Sequence, residues 1–161
     1  MNIKSKTYLL LILACSFAVL SCSKFLNKDL KGQYSASEFY TSSNAAVEAI
    51  NHAYVELTFQ SATANPLWVF GDIASDDAAS GNPAASPDAA TIDNFSYSST
   101  NSHLSNEWGN FYEGITDCNL VLAHVPSISM DTALRSRILG EARFLRGWYY
   151  FMLVNIFGDV P

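Results

Sequence analysis

The thiol of Cys22 is the side chain to which the sequence assigns the most specific chemistry. Lys4 and Lys6 form a short basic region, a nearly unbroken apolar run spans Tyr8–Leu20, and Ser21 places a small residue before the cysteine. This order is typical of a secretory signal. The 13 apolar residues would extend about 20 Å as a helix, less than a bilayer core about 30 Å thick, which favours a cleaved signal over a membrane span.

Acylation of a cysteine at this position is the modification that the pattern predicts. The four residues ending at Cys22, Val-Leu-Ser-Cys, resemble the bacterial lipobox, in which the thiol is acylated and the chain is cut before the modified cysteine. Several acyl chains, at about 0.8 kcal/mol per buried CH₂, hold a protein firmly on a membrane. We therefore predict a lipoprotein signal peptide at residues 1–21, lipidation of Cys22, and a lipidated polar tether at residues 22–34. Cleavage before Cys15, and an ordinary signal peptide with an incidental cysteine, are the alternatives.

Spacings that would bind metals or support catalysis are missing from the sequence. The aspartates Asp72, Asp76 and Asp77 lack the alternating spacing and the glycine of a calcium-binding loop. The three histidines, at positions 52, 103 and 124, are not separated by the intervals of zinc ligands. No nucleophile elbow, phosphate loop or dinucleotide fingerprint occurs. The sequence therefore predicts no metal, no cofactor and no catalytic residue.

The charge balance narrows the range of partners. The 161 residues include 9 basic and 15 acidic side chains, a formal net charge of −6, and removing residues 1–21 takes away two lysines and leaves −8. A surface this acidic repels phosphate backbones and does not attract anionic lipid. We therefore expect no nucleic-acid partner, and membrane attachment through acyl chains. With Cys15 in the signal and Cys22 acylated, Cys118 has no disulfide partner and is expected to be a small core side chain.

Three amphipathic helices are predicted by apolar residues at three- and four-residue spacing. The first begins within Thr41–Ser43, any of which could cap it, the second spans about His103–Ala123, and the third spans about Asp131–Phe157. The apolar face of the first helix comprises Ala46, Val47, Ile50, Ala53, Tyr54 and Leu57. On its opposite face, Glu48 and His52 are expected to form a minor surface pair.

The third helix carries two apolar stripes, which predicts that it packs between neighbouring helices. The first stripe is Leu134, Ile138, Leu145, Tyr149 and Leu153, and the second is Phe144, Trp148 and Phe151. We expect four aromatic residues to be core, namely Trp108, Trp148, Tyr149 and Tyr150. We expect the charged cluster of Glu141, Arg143 and Arg146 to tie adjacent helices together. Three helices, a long loop over Ser61–Asn101 and almost no strand pattern predict an all-α fold, with a tetratricopeptide-like helical repeat as one option.

Five stretches resemble, in the same order, the SusD/RagB family of Bacteroidetes outer-membrane lipoproteins. The most specific is Glu-Ala-Arg-Phe-Leu-Arg-Gly-Trp-Tyr-Tyr-Phe-Met-Leu-Val-Asn-Ile-Phe-Gly-Asp-Val-Pro at Glu141–Pro161. The others are Cys22–Leu26, Ser37–Tyr40 followed by Ala46–Tyr54, Gly71–Asp77, and Trp108–Asn119. Together they extend over nearly the whole chain, which is identified as similar to the N-terminal portion of that family.

The resemblance implies a fold, a location and a role. Family members are α-helical proteins built on tetratricopeptide-like repeats and are usually several hundred residues long, so residues 35–161 are expected to be the N-terminal part of a SusD-like helical domain. Members sit on the cell surface as lids over a SusC-like TonB-dependent transporter and capture glycans or other nutrients for import. We therefore expect a non-catalytic, lipid-anchored, surface-exposed protein of the outer membrane that binds a nutrient, in the first place an oligosaccharide.

Candidate ligand residues lie in the loop between Ser61 and Asn101. Sugars bind through aromatic faces packed against their CH surfaces and through carboxylates and amides that hydrogen-bond their hydroxyls. This loop supplies such groups in Trp68, Asp76, Asp77, Asn82, Tyr97 and Asn101. Each could instead be a solvated loop residue or a helix cap.

Two other classes of function stay open at this stage. A lipid-anchored glycan-degrading enzyme would release new reducing ends from an oligosaccharide. A structural cell-surface adhesin would fail to co-purify with a transporter.

Overall fold

Helices make up the architecture of the chain in the computed structural model, which describes residues 35–58 and 67–161. They are α1 (Ala36–Phe39), α2 (Ser43–Ala53), α3 (Pro87–Asp93), α4 (Ser102–His124) and α5 (Thr132–Phe157), with 3₁₀ turns at Val55–Thr58 and Val125–Ser127 and a π-helical turn at Leu67–Ile73. No strand occurs in these two ranges, which confirms the all-α class. The signal peptide, Cys22 and the tether lie outside the described residues.

The three predicted helices begin at side-chain caps. Ser42 Oγ accepts a hydrogen bond of 3.2 Å from the Ala45 N–H at the start of α2. Asp131 Oδ1 accepts one of 2.8 Å from the Leu134 N–H at the start of α5. Such caps satisfy backbone donors that have no partner within the helix. The predicted starts of the first and third helices are therefore confirmed.

The main core lies between α2, α4 and α5. Its buried residues include Ala46, Ala49, Ile50 and Ala53 of α2, Phe111, Ile115, Cys118 and Val121 of α4, and Ile138, Ala142, Leu145, Tyr149 and Leu153 of α5. Cys118 is fully buried, as predicted, and burial raises the pKa of its thiol to about 11. No described helix combines the length and the apolarity that crossing a bilayer requires.

Tyr149 joins all three of these helices. Its hydroxyl donates a hydrogen bond of 2.6 Å to the Ala53 carbonyl at the end of α2. Its ring lies against Gly114 of α4, where a Cβ atom would approach Tyr149 Cε2 to 2.5 Å. Gly114 is therefore the residue that lets α4 and α5 come this close.

The second apolar stripe of α5 is not packed as predicted. The first stripe is buried at Ile138, Leu145, Tyr149 and Leu153. In the second, Phe144 is 69% exposed and Phe151 is 58% exposed, because within the described residues α2 and α4 cover only one side of α5. The expectation that Trp108 is a core residue is also wrong, since 39% of its surface is exposed.

The predicted loop over Ser61–Asn101 contains ordered structure in its described part. The π-helical turn and α3 pack on each other through a second apolar cluster of Val69, Ile73, Ala89 and Ile92. Pro87 occupies the first turn of α3, where the missing N–H of proline does no harm. These elements were missed because each has only 7 residues, too few to show a helical period.

Polar contacts between the helices differ from those predicted. His52 Nδ1 pairs with Asp117 Oδ2 of α4 at 2.7 Å, and not with Glu48. Arg146 ties α5 to α4 by donating a hydrogen bond of 2.8 Å to Asn119 Oδ1.

The acidic member of the predicted cluster stays within its own helix. Glu141 pairs with Arg137, one turn away, at 3.2 Å. Arg143 donates to the Leu139 carbonyl of the same helix. Adjacent helices are therefore joined here by a guanidinium–amide contact and not by an ion pair.

Glu107 of α4 is a buried carboxyl group. It is 1% exposed, and its Oε1 atom has no hydrogen-bond partner. Burial, followed by the negative charge of Glu56, raises its pKa from 4.5 to about 7. The folded protein therefore retains a proton on Glu107 at pH values where an unfolded chain has lost it.

We predict that Glu107→Gln stabilises the protein at neutral pH. Between pH 4.5 and about 7 the folded state binds the extra proton, so its stability falls as the pH rises through this window. At roughly 1.4 kcal/mol per pKa unit, the charge destabilises the fold by at most about 3 kcal/mol above pH 7, and the glutamine removes that loss. Denaturant unfolding across this window measures it. Exposed Glu48→Gln is the control; an unchanged slope in Glu107→Gln would contradict the assignment.

We predict that Gly114→Ala destabilises the fold by about 2 kcal/mol, because its Cβ would overlap the Tyr149 ring. Gly109→Ala, on the same helix with no atom within 4 Å of its Cβ, should instead stabilise by up to about 1 kcal/mol through helix propensity. Chemical unfolding of the two variants tests the contact. Equal effects of the same sign would refute it.

Candidate functional site

A cleft of about 460 Å³ lies between the π-helical turn, the segment after α3 and the C-terminal part of α5. Its described lining residues are Phe70, Gly71, Ala74, Tyr97, Phe151, Met152, Asn155 and Ile156. This volume is in the range of small-ligand sites.

The π-helical turn presents Phe70 by anchoring its neighbours. Val69 and Ile73 are buried against α3, which fixes the turn. Phe70 is partly buried against the same cluster and forms one wall of the cleft. Phe70 is therefore positioned by the packing of the π-helical turn on α3.

A tight turn after α3 places Tyr97 at the cleft. Phe95 adopts a φ of +57°, a left-handed conformation that is uncommon for a residue other than glycine. Asn94 Oδ1 accepts a hydrogen bond of 3.0 Å from the Ser96 N–H within this turn. Tyr97 follows, with 43% of its surface exposed.

The last turns of α5 supply the opposite wall. Phe151 exposes its ring, Met152 is nearly buried, and Asn155 is exposed. The Asn155 amide donates a hydrogen bond of 2.7 Å to the Phe151 carbonyl, which orients its side chain along the helix. The cleft thus combines aromatic faces with an amide and a phenolic hydroxyl.

No charged side chain is among the described residues that line this cleft. Apolar and aromatic surface with a few neutral hydrogen-bonding groups suits an uncharged ligand with both CH and hydroxyl surfaces. Within residues 35–58 and 67–161, no group of three or more histidine, cysteine, aspartate or glutamate side chains is placed to hold a metal ion.

Of the six residues proposed from the sequence, Tyr97 lines the cleft. Asn101 does not face solvent, since it is 3% exposed and caps α4 by accepting a hydrogen bond of 2.9 Å from the His103 N–H. Its amide donates to the Asp88 carbonyl at 2.9 Å and to Thr91 Oγ1 at 3.0 Å. Its role is therefore to join α3 to α4.

The other four proposed residues are exposed on the same segment, outside the cleft lining. Trp68 lies on the π-helical turn, and Asp76 and Asp77 follow it. The Asp77 N–H donates to Ser75 Oγ at 3.2 Å. Asn82 Oδ1 accepts a hydrogen bond of 3.2 Å from the Ala85 N–H, as asparagine does in many turns.

Phe70, Phe151 and Asn155 line the cleft, although the sequence did not indicate them as ligand residues. Phe151 matched the period of a buried helical stripe, and Asn155 lies in an otherwise apolar run. The lining residues of α5 come more than 50 residues after Tyr97 in the sequence, so only the folded arrangement brings these side chains together.

Comparisons with known proteins agree with the architecture. Residues 24–161 match the SusD-like family model described as "Starch-binding associating with outer membrane". A SusD-like protein of Bacteroides ovatus is 28% identical over 164 residues, which cover 99% of this chain and 29% of the relative. Two SusD-like proteins of Formosa agariphila are 24% and 29% identical, over 97% and 98% of this chain and 31% and 30% of their own lengths.

The chain thus spans about a third of the length of the curated relatives it matches. No solved structure matches it significantly. The family model covers well over half of the chain, and the resemblance noted in the sequence is confirmed. The chain belongs to the SusD-like family, the SusD/RagB group of outer-membrane proteins.

Proposed function

We propose that this chain is part of an outer-membrane lipoprotein that binds a neutral glycan and delivers it to a SusC-like TonB-dependent transporter. The observation that carries the proposal is the uncharged aromatic cleft around Tyr97 and Phe151, in a chain whose family model is described as starch-binding. Starch oligosaccharides are therefore the first ligands to test.

The chemistry of the cleft supports a sugar ligand. The rings of Phe70, Tyr97 and Phe151 offer faces for the CH surface of a pyranose ring, and the Tyr97 hydroxyl and Asn155 amide can hydrogen-bond sugar hydroxyls. A charged ligand would lose its hydration there without gaining an ion pair from the described lining. A neutral carbohydrate carries no charge whose hydration would be lost in this way. Trp68, Asp76, Asp77 and Asn82, exposed on the same segment, stay predicted ligand residues.

A binding role without catalysis is favoured by the same lining. Glycoside hydrolysis uses two carboxyl groups that flank the scissile bond. The described cleft residues include neither aspartate nor glutamate. A glycan-degrading enzyme would have to take its acids from elsewhere, and we keep it as the alternative. A structural adhesin is the second alternative; the cleft favours a soluble oligosaccharide over an extended partner surface.

The proposed location and partner are supported by the family and by the N-terminal sequence. The family description places its members with the outer membrane. The signal-like run ending at Cys22 supplies a means of anchoring. Delivery to a SusC-like transporter, and exposure on the cell surface, are expectations that the family resemblance brings.

We predict that the chain binds maltoheptaose without cleaving it, and that Tyr97→Ala and Phe151→Ala each weaken binding by about tenfold, because each removes an aromatic contact worth roughly 1.5 kcal/mol. Isothermal titration calorimetry measures the affinity, and a reducing-end assay measures cleavage. Phe144→Ala is the matched control, since Phe144 is an exposed phenylalanine of the same helix outside the cleft. Equal affinities in all three variants would exclude this cleft, and new reducing ends would favour the enzyme.

We predict that Cys22→Ser abolishes both incorporation of a fatty-acid analogue and retention in the membrane fraction, because the sulfur that carries the acyl chains is absent. Metabolic labelling followed by fractionation measures both effects. Cys15→Ser should leave them unchanged. Label on the Cys22→Ser protein, or its loss from Cys15→Ser, would show that the anchor has been assigned to the wrong residue.

A further inference from the structure

A second cleft, of about 340 Å³, lies beside the N-terminal half of α4 and the end of α5. Its described lining residues are Ser99, Leu104, Ser105, Trp108 and Phe157. Trp108 is 39% exposed, which the sequence pattern did not lead us to expect. No charged residue is among these five, so this cleft has the same neutral, partly aromatic character as the first one.

The Trp108 ring is held in place by other aromatic rings. The Phe157 ring stands perpendicular to it, with centroids 5.1 Å apart. The Tyr112 ring is tilted by 45° at a centroid distance of 4.8 Å. The Tyr112 hydroxyl also donates a hydrogen bond of 3.2 Å to the Pro161 carbonyl. A ring positioned in this way needs little ordering when a ligand stacks on it.

The two clefts are lined by residues that are neighbours in the sequence. Tyr97 lines the first cleft and Ser99 the second, and two residues of chain separate their Cα atoms by at most about 7 Å. Ile156 lines the first and Phe157 the second, as adjacent residues of one helix about 100° apart around its axis. The segment after α3 and the last turn of α5 therefore form a divider between neighbouring clefts.

We propose that the cleft around Trp108 is a second sugar-binding subsite, and that the ligand is an oligosaccharide long enough to occupy both clefts at once. The inference rests on the proposed function and adds to it the size of the ligand. The indole face receives the CH surface of a sugar ring, and the hydroxyls of Ser99 and Ser105 hydrogen-bond its hydroxyl groups. Occupation of both subsites makes affinity increase with chain length, because the second contact is intramolecular once the first has formed.

The test compares maltose with maltoheptaose on a variant that fills the second cleft. Ser105 is exposed on α4, so Ser105→Arg places a long side chain in the cleft while leaving Trp108 in place. Its neighbour Asn106 is also exposed but does not line the cleft, and Asn106→Arg adds the same charge to the same helix. We expect Ser105→Arg to weaken maltoheptaose binding by about tenfold and maltose binding less, because maltose still binds in the first cleft, whereas Asn106→Arg changes neither.

Tryptophan fluorescence provides a second, direct measurement. Contact with sugar changes the emission of Trp108, so maltoheptaose should alter the fluorescence of the parent protein more than that of Trp108→Phe. The phenylalanine keeps an aromatic ring beside Tyr112 and Phe157 and limits any loss of stability. An equal maltoheptaose response in both proteins would show that the sugar does not reach Trp108.

The outcomes separate this inference from the proposed function. If maltoheptaose binds Ser105→Arg as tightly as the parent while Tyr97→Ala weakens it, the second subsite is excluded and the first cleft stands. If Ser105→Arg weakens both sugars equally, the two clefts are not separate subsites and the inference is overturned. If neither sugar binds the parent, the proposed function and the subsite fail together.

Discussion

The close packing of Tyr149 on Gly114 is the contact on which the rest of the arrangement depends. This contact sets the distance between α4 and α5. The hydroxyl of the same tyrosine donates a hydrogen bond to the Ala53 carbonyl at the end of α2. Burial raises the pKa of this phenol further above its usual range, so the hydroxyl stays protonated and continues to donate its hydrogen bond. Phe151, Asn155 and Phe157 follow within the next eight residues of α5, so the position of both clefts is determined by where Tyr149 is held.

A second constraint fixes the segment that separates the clefts. Ser102, at the start of α4, donates from its hydroxyl and from its backbone N–H to Asp88 of α3. These two hydrogen bonds, the hydroxyl first, lower the pKa of the Asp88 carboxyl. Asn101 adds its own bonds to the same helix. These bonds join the start of α4 to α3, and Tyr97 and Ser99 lie in the loop between the two joined helices.

Long elements could be predicted from the sequence, and short ones could not. Helices α4 and α5, with 23 and 26 residues, repeat their apolar spacing several times, and Asp131 caps α5 as its residue type suggests. By contrast α3 and the π-helical turn each have 7 residues, and their order depends on burying Val69 and Ile92 against each other. Periodicity also cannot tell which of two apolar stripes is covered.

The lining of the first cleft could be predicted only in part, for the same physical reason. The sequence indicated the right segment and one correct lining residue, Tyr97, because aromatic and amide side chains were expected in a loop. Asn101 is of a residue type that often binds sugars, but its side chain instead caps α4 by accepting a hydrogen bond from the His103 N–H. Phe151 and Asn155 belong to a helix far away in the sequence, and Trp108 has the spacing of a core residue although its ring is accessible. A polar side chain that already hydrogen-bonds the backbone is not available to a ligand, and only the folded structure shows which side chains do so.

The acidic side chains of the described residues lie outside the lining of both clefts. The chain has 15 acidic residues, and a catalytic acid would be expected to have a raised pKa inside a cleft. Glu107 has such a pKa, about 7, yet it is buried in the protein and lines neither cleft. Its shift arises from desolvation and from Glu56 on a neighbouring turn, and therefore lowers the stability of the fold at neutral pH. The two clefts, with only neutral lining among their described residues, suit a neutral ligand better than a charged one.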